Sequence, residues 1–163
     1  MLCGRSCMTG RLLEVIESAF PLLPKPDQVI AHSESCGHCE MTEKYLAKHP
    51  GPDLPVAATK WLCDELSTLS PEATRWVLGS YLRHVVHGGE VVERATEFLI
   101  YHLGPAPEHE QETRASLALL SQEQLLALVS LVEHLGQETK WQEHCPEDLE
   151  RASLFLRGLL RWH

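Results

Sequence analysis

The chain has 163 residues, 44% of them apolar and 23% charged, a length and balance that fit one globular domain. Fourteen Lys and Arg stand against 23 Asp and Glu, a formal charge of −9. That sign argues against a nucleic-acid backbone or an anionic membrane as the main partner, because both would be repelled.

No apolar run approaches the roughly 18 residues of a membrane span. The opening stretch, residues 1–8, lacks the apolar centre of a secretory signal, so a cytoplasmic location is expected. The same eight residues show no periodicity and are expected to form a disordered extension ahead of a single helical domain over 9–163. From Arg11, the apolar positions Leu12, Leu13, Ile16, Ala19 and Phe20 trace an amphipathic helix, stopped by Pro21. Pro21, Pro24 and Pro26 then impose extended backbone. Val29 and Ile30 follow as a short apolar anchor, too brief for a strand. A short helix is expected from about Cys39 to Lys48, ended by His49-Pro-Gly-Pro-Asp53.

Pro55 suits the first turn of a helix carrying Ala58, Trp61, Leu62 and Leu66. Ser70-Pro71-Glu72 combines a serine N-cap, a first-turn proline and an acid facing the positive helix end. The helix behind it places Ala73, Val77, Tyr81, Leu82 and Val85 on one side and ends at Gly88-Gly89. The next starts at Glu90, carries Val91, Ala95, Phe98, Leu99 and Leu103, and ends at Gly104-Pro105. Glu108 to Thr113 is polar and acidic and is expected to be a mobile loop. Ser121 and Gln124 have the spacing of a capping box, followed by the stripe Leu125, Leu128, Val129, Val132 and Leu135. A last helix opens at Pro146-Glu147-Asp148, with Leu149, Ala152, Leu156, Leu159 and Leu160 apolar. No strand pair or hairpin turn is evident. The prediction is an all-α, single-domain irregular or orthogonal bundle of six to eight short helices.

Several of these features occur together in a known order. Leu12–Phe20 followed by Pro24 and Pro26, the stretch Ser35–Glu40, Leu69-Ser-Pro-Glu-Ala-Thr-Arg-Trp76 with Tyr81-Leu82, and Leu120-Ser-Gln-Glu-Gln124 span most of residues 11–136. In this order they resemble an uncharacterised bacterial family of small helical proteins, a domain of unknown function. Where that family has a tyrosine pair and then a proline, this chain has Trp76-Val77-Leu78-Gly79. The resemblance implies a bacterial origin and a helical fold, and brings no activity.

The densest chemistry lies in His32-Ser-Glu-Ser-Cys36-Gly-His38-Cys39. Cys-x-x-Cys sets two thiols where one turn can bring both to a metal, and His32 adds a nitrogen ligand suited to zinc. A structural zinc on His32, Cys36 and Cys39 is the candidate site, with Cys63, His49 or His38 as the fourth ligand. The alternative packs one cysteine in the core and leaves the other partly exposed. A deaminase would carry the two halves of this cluster on separate helices, with a proline before the first cysteine. A thioredoxin-type site would need a preceding strand in a βαβ context. Neither pattern is present. The six cysteines, unlike a disulfide framework in spacing, are expected to be reduced thiols.

His84 and His87 share one helix face, and His87 sits favourably at a helix C-terminus. His109-Glu110 opens like a zinc-protease motif, but Thr113 stands where the second histidine is required. No nucleophile elbow, phosphate loop or dinucleotide fingerprint occurs. Trp141 and Trp162 flank polar sequence and are candidates for a contact surface. The expected function is therefore a non-enzymatic cytosolic interaction module, an immunity or adaptor protein meeting another, basic protein. The alternative is a metal-dependent enzyme using the His32–Cys39 cluster.

Overall fold

A computed structural model describes residues 3–31 and 36–163, with side chains from Cys7 onward. Among the described residues there are nine α-helices and no strand, and eight of the helices have seven residues or more. The all-α class is therefore as expected.

The first helix, α1 (Cys3–Ala19), begins well before the apolar stripe. Residues 3–8, read from the sequence as an unpatterned extension, continue its backbone outward, with Cys7 and Met8 exposed. The stripe marks only where burial starts: Leu12, Ile16, Ala19 and Phe20 are the buried face, and the helix packs on the later helices Pro71–His87 and Gln122–Gly136. Pro21 follows the last turn, where its missing N–H ends the hydrogen-bond ladder. The proline segment is then tied down at three places. Lys25 Nζ donates to the Leu46 carbonyl at 3.0 Å, Ser70 N–H to Val29 O at 2.8 Å, and Ala31 N–H to Thr68 O at 2.9 Å. Ile30 and Leu69 form an isolated antiparallel bridge, so the short apolar anchor is held by backbone pairing as well as burial.

α2 (Gly37–Ala47) and α3 (Val56–Leu62) lead into a single tight turn at Leu66–Thr68. α4 (Pro71–His87) is the central helix, with 11 of its 17 residues buried and polar groups on several faces. A helix buried along most of its length satisfies most of those groups internally, with Trp76 Nε1 the buried exception. Ser70 Oγ accepts the Ala73 N–H and donates to Gln28 O at 2.7 Å, capping α4 and clamping the proline segment together. Ser80 Oγ accepts the Leu54 N–H at 2.8 Å, Thr74 pairs with Ser116, and Tyr81 OH donates to Ala95 O at 2.6 Å. Gly88 and Gly89, at φ 70° and 94°, turn the chain through left-handed backbone that side chains rarely adopt.

After a tight turn at Glu90–Val92, α5 (Glu93–Leu103) runs to Gly104. Glu108 to Thr113, expected to be a mobile loop, instead fall within a tight turn at Pro107–His109 and α6 (Glu110–Ser116). The acidic composition described only the outer face; Thr113 and Ser116 are buried, and they hold the helix against the core. α7 (Gln122–Gly136) starts with the expected capping box. α8 (Thr139–His144) and α9 (Pro146–Leu160) complete the bundle, with α9 packed against both α5 and α7.

Candidate functional site

Of the three expected metal ligands, His32 lies outside the described residues. Cys36 and Cys39 come together at the start of α2. Cys36 is its N-cap, in extended backbone (φ −124°, ψ 152°), and its Sγ accepts the Cys39 N–H at 3.2 Å. Cys36 is exposed and Cys39 is buried at 4% exposure. A hydrogen bond to the Cys36 sulfur, followed by burial, pushes the Cys39 thiol up. The three candidate fourth ligands turn elsewhere. His38 Nδ1 lies 3.4 Å from Glu65 Oε1, the His49 ring rests on Tyr45, and Cys63 Sγ donates to Lys60 O at 3.2 Å. Burial, then the Asp64 charge, pushes the Cys63 thiol up. Among the described residues no three His, Cys, Asp or Glu side chains are grouped to hold a metal.

A cleft of about 460 Å³ opens between the Leu66–Thr68 turn, the C-terminal end of α5, α6 and the start of α9. Its size falls in the small-ligand range of roughly 300–1,000 Å³. Leu66, Phe98, Pro105 and Ala106 give it apolar walls, and Asp64, Glu112 and Asp148 bring three carboxylates from three separate segments. Each has a local nitrogen partner, an arginine for two of them. Arg94 Nη2 donates to both Asp64 oxygens at 2.8 and 3.0 Å, Arg151 pairs with Asp148, and His109 lies 3.8 Å from Glu112. The adjoining Glu108 and Glu110 are exposed. Pairs this exposed are worth about 0–1 kcal/mol, so an incoming cation can exchange for the resident one at little cost.

The same cleft contains His102, whose Nε2 is shut off from solvent and has no hydrogen-bond partner. Burial alone drives its pKa down to about 4. Its neighbour Tyr101 turns outward and donates to Glu97 Oε1 at 2.6 Å, which pushes the phenol up to about 12. Glu97 also accepts from His144 Nε2 at 2.8 Å. The bond from Tyr101, then that from His144, holds the Glu97 carboxyl below its usual range.

A larger cavity, about 570 Å³, lies among α1, α4, α7 and α8. Val85, Val86, Leu131 and Leu135 line it, with His87, His134, Glu138 and Lys140 also present. His134 and Glu138 already face each other at 3.7 Å, so the acidic character is weaker here than in the cleft. The two helix-face histidines do not act together. His84 Nδ1 is paired with Thr59 Oγ1 at 2.8 Å, whereas His87 is exposed. Trp141 is buried at 5% and Trp162 is 86% exposed, so only the second remains available as a contact surface. Trp141 follows polar sequence but faces inward between α8 and its neighbours.

The cleft residues carried no sequence signal because they lie far apart in the chain. His102 had a weak one: it sits between Ile100 and Leu103, both buried, in a helix with a regular apolar stripe. Comparison of the chain with known family models, curated proteins and solved structures gave no match.

Proposed function

We propose that this chain is a non-enzymatic protein-interaction module that receives a basic segment of another protein in the cleft between α5, α6 and α9. The observation that carries this reading is the convergence of Asp64, Glu112 and Asp148 around apolar walls, on a chain of charge −9. Opposite charge steers the encounter and sets its specificity, while Phe98 and Tyr101 offer ring faces on which an arginine can lie. Arg94 already occupies one such position, 5.2 Å from the Phe98 centroid. An immunity or adaptor protein acting in the cytoplasm is the kind of molecule this reading describes.

Titration of the full chain with an arginine-rich peptide, and with a glutamate-rich peptide of equal length, tests it by backbone NMR shifts. The arginine peptide is expected to shift residues around 64, 98–106 and 148, and its affinity to fall as salt rises from about 50 to 300 mM. The triple variant D64N/E112Q/D148N is expected to lose about tenfold in affinity or more, roughly 1.4 kcal/mol. Equal binding of the two peptides, or shifts centred outside the cleft, would overturn the reading.

A further inference from the structure

We propose that Cys36 and Cys39 form a reversible dithiol–disulfide couple that exchanges with a low-molecular-weight disulfide. The claim is independent of the cleft and rests on the relation between the two thiols. Cys36 Sγ lies 3.2 Å from the Cys39 nitrogen, and the Cys39 sulfur is three covalent bonds from that nitrogen. Cys36 is the N-cap of α2 and Cys39 lies in its first turn, so both thiols belong to one helix end. The Cys36 sulfur is therefore already held against the residue that carries the second thiol, within one helical turn. Disulfides whose backbone must move carry strain and form poorly.

Exposure assigns different roles to the two thiols. Cys36 is open to solvent, whereas Cys39 is buried at 4% exposure and cannot be the first to meet an external reagent. Among the described residues Cys63 and Cys145 are also buried, and Cys7 is exposed on α1, away from the α2 end in sequence. The absence of a preceding strand, which separates this segment from a thioredoxin-type fold, does not affect the exchange itself; that needs only an accessible thiolate and a second thiol within reach.

In the first step the Cys36 thiolate attacks one sulfur of the disulfide RSSR. A Cys36–SR bond forms, the S–S bond of the reagent breaks, and one RS⁻ departs with a proton from solvent as RSH. In the second, Cys39 gives up its proton and attacks Cys36 Sγ. The Cys36–Cys39 bond forms, the Cys36–SR bond breaks, and the second RSH leaves. The chain is oxidised by two electrons and RSSR is reduced to two thiols.

The test uses the untagged full chain, equilibrated in glutathione buffers graded from reduced to oxidised, then alkylated and mapped by mass spectrometry. The expected result is a Cys36–Cys39 disulfide that forms and reverses across the series, removing two alkylatable thiols per chain. In C39S, glutathione is expected to accumulate on Cys36; in C36S, Cys39 should acquire it about tenfold more slowly or less, because it is buried. Helical circular dichroism of both variants checks their fold, and the wild-type mapping stands without them. Cys36 and Cys39 remaining fully alkylatable throughout would overturn the proposal. So would glutathione reaching Cys39 in C36S as fast as Cys36 in C39S, or one zinc per reduced chain masking both thiols.

Discussion

The seam between α5 and α9 and the N-terminal corner of α2 both bring the chain into close contact with itself, but under opposite constraints. At the seam, a Cβ on Gly104 would stand 2.6 Å from Asp148 O and 2.8 Å from Ala152 N. These are backbone atoms of a packed helix and cannot give way. Nearby, half-buried His102 has its Nε2 shut off from solvent and without a hydrogen-bond partner. At the α2 corner the close approach is between a side chain and an open helix donor, Cys36 Sγ on Cys39 N–H, and one of the two residues faces water. Dense packing fixes the backbone of the seam at Gly104, beside the cleft that opens on its outer side. The corner keeps reactive atoms near one another because less is packed over them.

If the seam is as tight as its backbone contacts imply, Gly104→Ala should have the largest effect. Overpacking against backbone costs about 3 kcal/mol, read as a lowered urea midpoint with an unchanged slope. A variant that unfolds at the wild-type midpoint would show that α9 can slide away from α5.

Acid should loosen the same region next. His102 is held near pKa 4 in the folded chain and returns to about 6.5 when unfolded. Below pH 6.5 the unfolded state takes up a proton that the folded state refuses. Stability is thus complete above pH 6.5 and falls as pH drops towards 4, by about 3 kcal/mol for this group. Burial also lowers His84, which acts in the same direction. Urea unfolding at pH 7 and pH 4.5 measures the loss, and His102→Leu, lacking the group, should show a distinctly smaller one. Equal losses in the two proteins would mean that water reaches the ring.

Smaller effects are expected where a single hydrogen bond is removed. Tyr81→Phe deletes the buried 2.6 Å bond to Ala95 O, a carbonyl that keeps its place in the α5 helical ladder, at a cost of about 1 kcal/mol. Ser70→Ala removes the α4 cap, worth about 1 kcal/mol. Because Ser70 also holds Gln28 O, hydrogen exchange should quicken at Ala31 in that variant while α9 amides keep their protection. Uniform loss of protection would show that the proline segment is not separately anchored. The α2 corner provides the contrast: Cys36→Ser, at an exposed N-cap where serine is also a good cap, should change thermal stability by no more than about 0.5 kcal/mol.

Much of this fold was legible because short-range signals suffice for helices. Pro21, Ser70-Pro71, Gly88-Gly89 and the Ser121–Gln124 box each act through backbone geometry within a few residues, and each falls at an observed boundary. Two of the departures share one cause. The Glu108–Thr113 stretch and Trp141 were judged by the polarity of their neighbours, yet α6 is held by two small residues, Thr113 and Ser116, and Trp141 turns its ring inward. A composition average over adjacent residues does not show which side of a turn faces the core.

By itself, the sequence determined the helical class, most helix ends and the closeness of Cys36 to Cys39, because periodicity, capping and an i,i+3 spacing are local properties. The tertiary structure decided which cysteine is exposed, why His102 Nε2 is enclosed and where Asp64, Glu112 and Asp148 meet. Burial depends on the elements that cover a residue, and the cleft carboxylates come from positions up to 84 residues apart in the chain. No window along the sequence contains that arrangement; it exists only once α5, α6 and α9 have packed.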